Sequence, residues 1–356
     1  IYKGKGNSNI AISPLSLEML LSLLANGADK EACAEILEYL NIPSLDTLNT
    51  INQKWLWLCG HTKENIEFSI SNSIWNTTDV VIKDDYKEKI QNDYHASFFP
   101  LNVNPQISQQ EINMWANEKS NGMIPDFLRS PLRANTKFAF YNVCYFEGRW
   151  KYTFKARDTK MLPFATPSGS IDVETMHLGF GMDFDYFKGD RYQAVDIPFD
   201  SRGCDYNWFC MRIILPDEGY QIKDVLGNLA DQKVKPIKRN FRIDLPKFQI
   251  RYRIENLEKI LKAAGVRLLF NNPYTLSDIS SATDIFRDME LCQETALVCD
   301  EYGTKVAAVT GLGYAWSNGE PIEFHSFKVD RPFIFLIVEK RSGAIMFEGV
   351  VNDPRE

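Results

Sequence analysis

The side chains of this 356-residue chain best suited to metal ligation or nucleophilic attack are four histidines (His61, His95, His177, His325) and seven cysteines (Cys33, Cys59, Cys144, Cys204, Cys210, Cys292, Cys299). Their spacing assembles neither kind of centre. No HExxH pair puts two imidazoles on one helix face, and no CxxC brings two thiolates within reach of one zinc ion. A serine nucleophile on a strand-to-helix elbow needs GxSxG and a phosphate loop needs GxxxxGK[ST]; the chain has neither. Gly179-Phe180-Gly181 and Gly311-Leu312-Gly313 both stop short of the third glycine of a dinucleotide fingerprint. Carboxylates are plentiful, yet nothing in their spacing singles out the pair that glycoside hydrolysis requires. An odd number of cysteines without a paired motif gives no disulfide framework, so most are expected to be buried thiols. The expectation is a protein that is not an enzyme and carries no metal or cofactor.

The stretch DEYGTKVAAVTGLGYAWSNGEPIEF, Asp300 to Phe324, offers a different chemistry, one of the backbone. Thr304 to Thr310 has the β-branched and small residues of a strand, but Gly311 and Gly313 follow where a settled strand would weaken. A connection this long without structure of its own is uncommon in a compact domain and is usually functional or disordered. Counted from Thr304, the even residues (Thr304, Val306, Ala308, Thr310, Leu312) share one face of a would-be strand and the odd ones (Lys305, Ala307, Val309, Gly311, Gly313) the other. The only charge, Lys305, therefore stays on one side. No proline between Gly303 and Glu320 removes a ladder donor, and Gly303 suits a hinge whose φ and ψ must change widely. This is a segment that could become a strand.

The elements that would position such a segment change character along the chain. Helical spacing marks Pro14 to Asn26, opened by Ser13-Pro14, then Lys30 to Leu40, Ile82 to Tyr94 and Ser108 to Lys119. Phe68 to Trp75 and Lys137 to Phe146 read as strands. From Met161 onward strands dominate, at Gln193 to Phe199, Trp208 to Leu215, Asn240 to Leu245, Glu323 to Val329 and Phe333 to Val338, with one helix at Ile254 to Ala264. Helices first and sheets later predict an α+β architecture. No repeat or linker divides it, so one domain over residues 1–356 is expected. With 44% apolar residues the chain buries a substantial core, and 40 basic against 47 acidic residues (net charge −7) argue against a dedicated nucleic-acid or anionic-membrane surface. The longest apolar runs fall far short of the roughly 18 residues that span a bilayer. The start at Ile1, without Met or a signal-like segment, suggests a processed or trimmed N-terminus.

Six short segments, in order, resemble the serpin family: Asn9-Ile10-Ala11-Ile12-Ser13-Pro14-Leu15-Ser16; Phe138 to Trp150, with Asn142, Phe146, Gly148 and Trp150; Ile214 to Gly219; Leu245-Pro246-Lys247-Phe248; Arg331-Pro332-Phe333; and Phe347-Glu348-Gly349-Val350. The resemblance implies a serpin-like fold, an N-terminal helical region with large mixed and antiparallel sheets and an exposed reactive-centre loop at about residues 301–322. It also implies that the family's N-terminal helix is mostly missing ahead of Asn9. A buried polar network of Ser13, Ser16 and Asn142 is expected to include Gln293, where many members carry a histidine. An amide can donate and accept as a neutral imidazole does. Trp150 is expected at the top of the main sheet.

The implied function is suicide inhibition of a serine protease, whose serine attacks the loop to form an acyl-enzyme. The freed arm then inserts into the main sheet, and thirteen residues from Thr304 at about 3.3 Å each would carry the enzyme roughly 43 Å. The hinge is assigned to Glu301, Gly303, Thr304, Val306, Ala307 and Ala308; Lys305, where an acidic residue is common, and the bulky Val306 are departures that could slow insertion. The family's spacing puts the scissile bond after Ser317, with Ala315, Trp316 and Asn318 as neighbours. No Lys or Arg occurs from Val306 to Phe327, which favours an elastase-like or chymotrypsin-like partner over a trypsin-like one. A monomer without nucleic-acid or membrane partners is expected, secreted to the extracellular space, with an intracellular setting as the alternative because the native N-terminus is not visible. The alternatives are a non-inhibitory carrier or chaperone-like binding protein and a cross-class inhibitor of cysteine proteases.

Overall fold

The computed structural model describes residues 6–61, 65–179, 182–202, 209–227, 229, 234–254, 256–303 and 325–356. Its helices are α1 (Pro14–Gly27), α2 (Lys30–Leu40), α3 (Leu45–Gly60), α4 (Asp84–Tyr94), α5 (Pro105–Lys119), α6 (Ile222–Leu226), α7 (Leu257–Ala264) and α8 (Leu268–Asn271). Its strands are β1 (Ile10–Ile12), β2 (Ile66–Asn76), β3 (Ser97–Pro100), β4 (Phe138–Gly148), β5 (Lys160–Thr166), β6 (Gly169–Leu178), β7 (Asp183–Gly189), β8 (Tyr192–Pro198), β9 (Phe209–Pro216), β10 (Ile237–Pro246), β11 (Phe248–Arg253), β12 (Glu290–Cys299), β13 (His325–Lys328), β14 (Phe333–Glu339) and β15 (Ile345–Val351). This is the expected α+β order, with strands dominating after residue 160.

Local signals account for the helix starts. The Ser13 hydroxyl accepts from the Ser16 amide at 3.2 Å and Pro14 fills the first helical position of α1. Asp29 caps α2 through the Ala32 amide, and Asn41 ends it in the left-handed region at φ 54°. Asn104 caps α5 ahead of Pro105, so that helix begins three residues before the predicted Ser108. Trp208, Glu323 and Phe324 of the predicted strands lie outside the described residues.

The smaller sheet has the order β11-β12-β4-β2-β3. At its centre β4 is buried at every position except Glu147, because both its faces are covered. One face meets the main core, where Phe140 and Phe146 pack among residues of α1, β14 and β15. The other meets a second core under α5, where Tyr141 stacks edge-on to Phe127 with ring centroids 5.2 Å apart. The remaining strands form a second, larger sheet running from β1 through β15, β14, β9, β8, β7 and β10 to the β6–β5 hairpin, with β13 alongside β10. Among the described cysteines none is in a disulfide: Cys144, Cys210, Cys292 and Cys299 are buried thiols, and Cys33 and Cys59 are partly buried. Burial pushes Cys144 and Cys292 up to about 12, which leaves them protonated and unreactive. Cys204 lies outside the described residues.

Candidate functional site

Every neighbouring pair in the smaller sheet is antiparallel except two, and one of these lies at its centre. There β12 runs parallel to β4, hydrogen-bonded from Glu290↔Ala139 to Ala296↔Tyr145. Two parallel neighbours leave room, in register terms, for a third strand running antiparallel to both. Gly303 forms antiparallel bridges to Asp300, just past β12, and to Arg149, just past β4. The offset that pairs Glu290 with Ala139 also puts Asp300 level with Arg149, so Gly303 sits on the axis of the seam in register with both sides.

The top of the seam is built to hold that glycine. Trp150 is 2% exposed, stacks on Phe199 at 4.7 Å between centroids and 6° between planes, and donates its indole N–H to the Asp300 carbonyl at 2.8 Å. Its backbone amide donates to the Tyr302 carbonyl, and that of Phe154 to the Glu301 carbonyl. The Glu301 carboxylate accepts from Thr159 Oγ1 at 2.8 Å and lies 3.5 Å from the Lys247 ammonium. Burial opposes its ionisation, but these partners outweigh burial and hold it below the usual carboxylate range. Asp300 is held above that range by burial, despite the Tyr302 amide it accepts from.

Midway down the seam the predicted polar residues come together, all fully buried. Ser16 Oγ donates to Asn142 Oδ1 at 2.6 Å, Gln293 Nε2 donates to the same oxygen at 3.2 Å and to the Ser13 carbonyl at 3.3 Å, and Asn142 Nδ2 donates to Asn72 Oδ1 at 2.9 Å. Gln293 and Asn142 are direct neighbours across the parallel pair. The amide does only half of what an imidazole would: it donates, while Gln293 Oε1 is buried without a hydrogen-bond partner. Sequence reasoning did not find Asn72, which sits among Ser69, Ser71 and Ser73 in a strand that also carries Glu67 and Asn76, so nothing in β2 sets it apart.

The foot of the seam is bolted too. Tyr141 on β4 donates to Glu290 Oε2 on β12 at 3.0 Å, and Glu290 Oε1 also takes Thr136 and Arg133 at 3.4 Å each. Glu301 and Gly303, expected from the sequence to belong to a hinge, thus lie at the mouth of the seam. The remaining hinge positions Thr304, Val306, Ala307 and Ala308, and the reactive-bond positions Ala315, Trp316, Ser317 and Asn318, lie outside the described residues.

Gly303 tolerates no side chain. Its φ of +137° is one that L residues rarely adopt, and a Cβ there would lie 1.9 Å from the Gly148 carbonyl oxygen and 2.7 Å from Arg149 Cα, both backbone atoms that cannot swing away. Strained backbone alone costs on the order of 1–3 kcal/mol. Gly303→Ala should therefore lower the thermal melting temperature by at least several degrees; an unchanged melting curve would contradict this packing of the seam's mouth.

Against known proteins, the family model described as serpin (serine protease inhibitor) matches residues 1–354. The plasma serine protease inhibitor of Bos taurus is 28% identical over 360 residues, covering 97% of this chain and 85% of that protein. Among solved structures, Arabidopsis AtSerpin1 in its native stressed conformation superposes with a TM-score of 0.83 at 23% identity, covering 98% of this chain and 92% of that one. Human thyroxine-binding globulin complexed with its hormone gives 0.81 at 21% identity, with 99% and 94% covered. With its family model spanning nearly every residue and its fold shared with solved members, the chain belongs to the serpin family.

Proposed function

We propose that this protein is a suicide-substrate inhibitor of serine proteases that traps the acyl-enzyme by inserting its cleaved reactive-centre loop between β4 and β12. The observation that carries this reading is the parallel seam with Gly303 already bridged, antiparallel, to both sides of its mouth. Serpin loop insertion is itself a standing example of strand addition to a sheet. The register of the seam supports a specific position for each loop residue on insertion.

Continuing the two bridges downward, Thr304 would come level with Gly148 and Cys299, and Gly313 level with Glu290, so the ten residues Thr304 to Gly313 would match the ten of β12. The even residues would then join the face of the main core, to which Phe146 and Leu297 contribute, and the odd ones the face under α5. Lys305 would lie level with Glu147, which is paired in turn with Glu67 on β2. Burial, then the charge of Glu147, already raises the Glu67 carboxyl above its usual range. A cation arriving there relieves a like-charge pair, so the basic residue at this position suits this sheet where an acidic one would be repelled.

Thr310 would land between Gln293 and Asn142. Its hydroxyl could donate to Gln293 Oε1, the buried acceptor that has no partner while the seam is closed. Insertion would exchange the direct Gln293–Asn142 hydrogen bond for contacts through Thr310 and would give this oxygen a donor. The inhibitor turns over no substrate of its own. Its bait, with Ala315, Trp316, Ser317 and Asn318 around the scissile bond and no basic residue nearby, fits a pocket for small or aromatic side chains, and we assign the target class as elastase-like or chymotrypsin-like.

The direct test is to incubate the purified protein with elastase-like, chymotrypsin-like and trypsin-like serine proteases, then combine denaturing gels with the mass of the released C-terminal peptide. A denaturant-resistant complex with either of the first two, and a peptide beginning between Trp316 and Gly319, is the expected result. Clean cleavage with the protease left fully active would overturn inhibition in favour of a carrier.

Thr310→Val keeps the shape and removes the donor. One neutral hydrogen bond is worth about 1 kcal/mol, so the ratio of trapped to escaped protease should fall by up to about fivefold. The stoichiometry of inhibition reads this ratio, and a value equal to the parent's would exclude the Thr310–Gln293 pairing.

A further inference from the structure

A cavity of about 820 Å³ opens at the foot of β12, the end opposite Gly303. Its walls are the 128–133 segment that follows α5, the first residues of β12 and the first turns of α7. That volume falls in the range of pockets for small organic ligands. Its chemistry is two-sided. The apolar floor includes Leu132, Ile254 and Leu257, buried in place, and the partly exposed Leu291.

Around that floor stand five cations, Arg129, Arg133, Arg253, Lys259 and Lys262, against two carboxylates, Glu258 and Glu290. Both carboxylates are already taken: Lys262 Nζ is 2.7 Å from Glu258, and Arg133 Nε is 3.4 Å from Glu290. Arg253 donates to the Phe127 carbonyl and stacks on the Phe127 ring. Arg129 acts at a distance on the buried Glu294 carboxylate, whose direct partner is Arg251, and neither Arg129 nor Lys259 makes a close salt bridge among the described residues. Such a local excess of positive charge stands out on a chain whose net charge is −7. The α7 backbone adds to it, since the helix starts within this wall and the Asn256 side chain makes no capping bond.

We propose that this cavity binds a small amphiphilic anion, an aliphatic or aromatic acid. Its head group lies between Arg129 and Lys259 with Arg253 behind, and its apolar body lies on Leu132, Leu257 and Leu291. A polyanion without an apolar part would leave the floor wet, and a cationic amphiphile would meet five like charges. Bound ligand ties the 128–133 segment to the start of β12, so it stabilises the intact fold by mass action. Neither step depends on the inhibitory reading, because binding takes place on the uncleaved chain.

The test is calorimetric titration of the intact protein with decanoate, below its micellar concentration, and with decyltrimethylammonium as the cation of equal chain length. One saturable decanoate site per chain is expected, with a rise in melting temperature and no competition from the cation. The double variant Arg129→Gln, Lys259→Gln changes exposed side chains and leaves the direct Arg251–Glu294 pair in place, so it should melt close to the parent while binding decanoate at least tenfold more weakly. Leu291→Trp, which fills part of the floor, should weaken binding with the charges intact. Absence of a saturable site, undiminished affinity in the double variant, equal affinity for the cation, or displacement of decanoate by a sulfated polysaccharide would each overturn the proposal.

Discussion

The parallel hydrogen-bonded pairing of β4 with β12, from Glu290↔Ala139 to Ala296↔Tyr145, is the contact on which the rest of this structure turns. It closes the smaller sheet and separates two cores, one shared with α1 and the larger sheet and one under α5. It is also the one central contact that another strand could replace without reversing either partner. The side chains that secure it are polar and local: Gln293 on Asn142 in the middle, Glu290 on Tyr141 at the foot. A seam held by a few hydrogen bonds of about 1 kcal/mol each is firm enough to stay shut and weak enough to be exchanged for a longer set of rungs.

That balance explains why polar residues are buried where an ordinary sheet would place aliphatics. Gln293, Glu294 and Thr295 follow one another in β12 and all are buried. Glu294 takes Arg251 at 2.6 Å, and Arg251 reaches on to Asp126 in the segment after α5, so the cover over the outer face of the seam is itself pinned by charge. Thr295 donates to the Ala11 carbonyl at 2.7 Å and ties β12 to β1, on the other side. Among the described residues Gln293 Oε1, Asn72 Nδ2 and Glu294 Oε2 are all buried here without a hydrogen-bond partner, so the run holds polar capacity that the closed seam leaves unused.

The same polar run limited what could be read beforehand. Strands with an aromatic or aliphatic majority, such as β4 and β14, stand out in the sequence; β12, with Glu, Gln, Glu and Thr among its residues, has no such pattern, and its path is set by β11 on one side and by β4, 151 residues away, on the other. The β5–β6 hairpin escaped for the opposite reason, being largely exposed, with Met161 at 59%. Capped helices were legible because Ser13-Pro14 and Asp29 act within a few residues of themselves. The resemblance located Ser13, Ser16, Asn142 and Gln293, but it took tertiary structure to show that Gln293 donates twice and accepts nothing, and that Asn72 belongs with them. Under the proposed insertion Lys305, a departure when set against the family's habit, would meet the Glu147–Glu67 pair of the neighbouring strands.

The central claim is that this seam opens to admit the loop, and a crystal structure of the protein cleaved once within residues 304–324 tests it most directly. The account predicts β4 and β12 two strand spacings apart, about 9.6 Å instead of about 4.8 Å, with Thr310 between Gln293 and Asn142. A cleaved protein in which Ala139 and Glu290 remain hydrogen-bonded neighbours would contradict it.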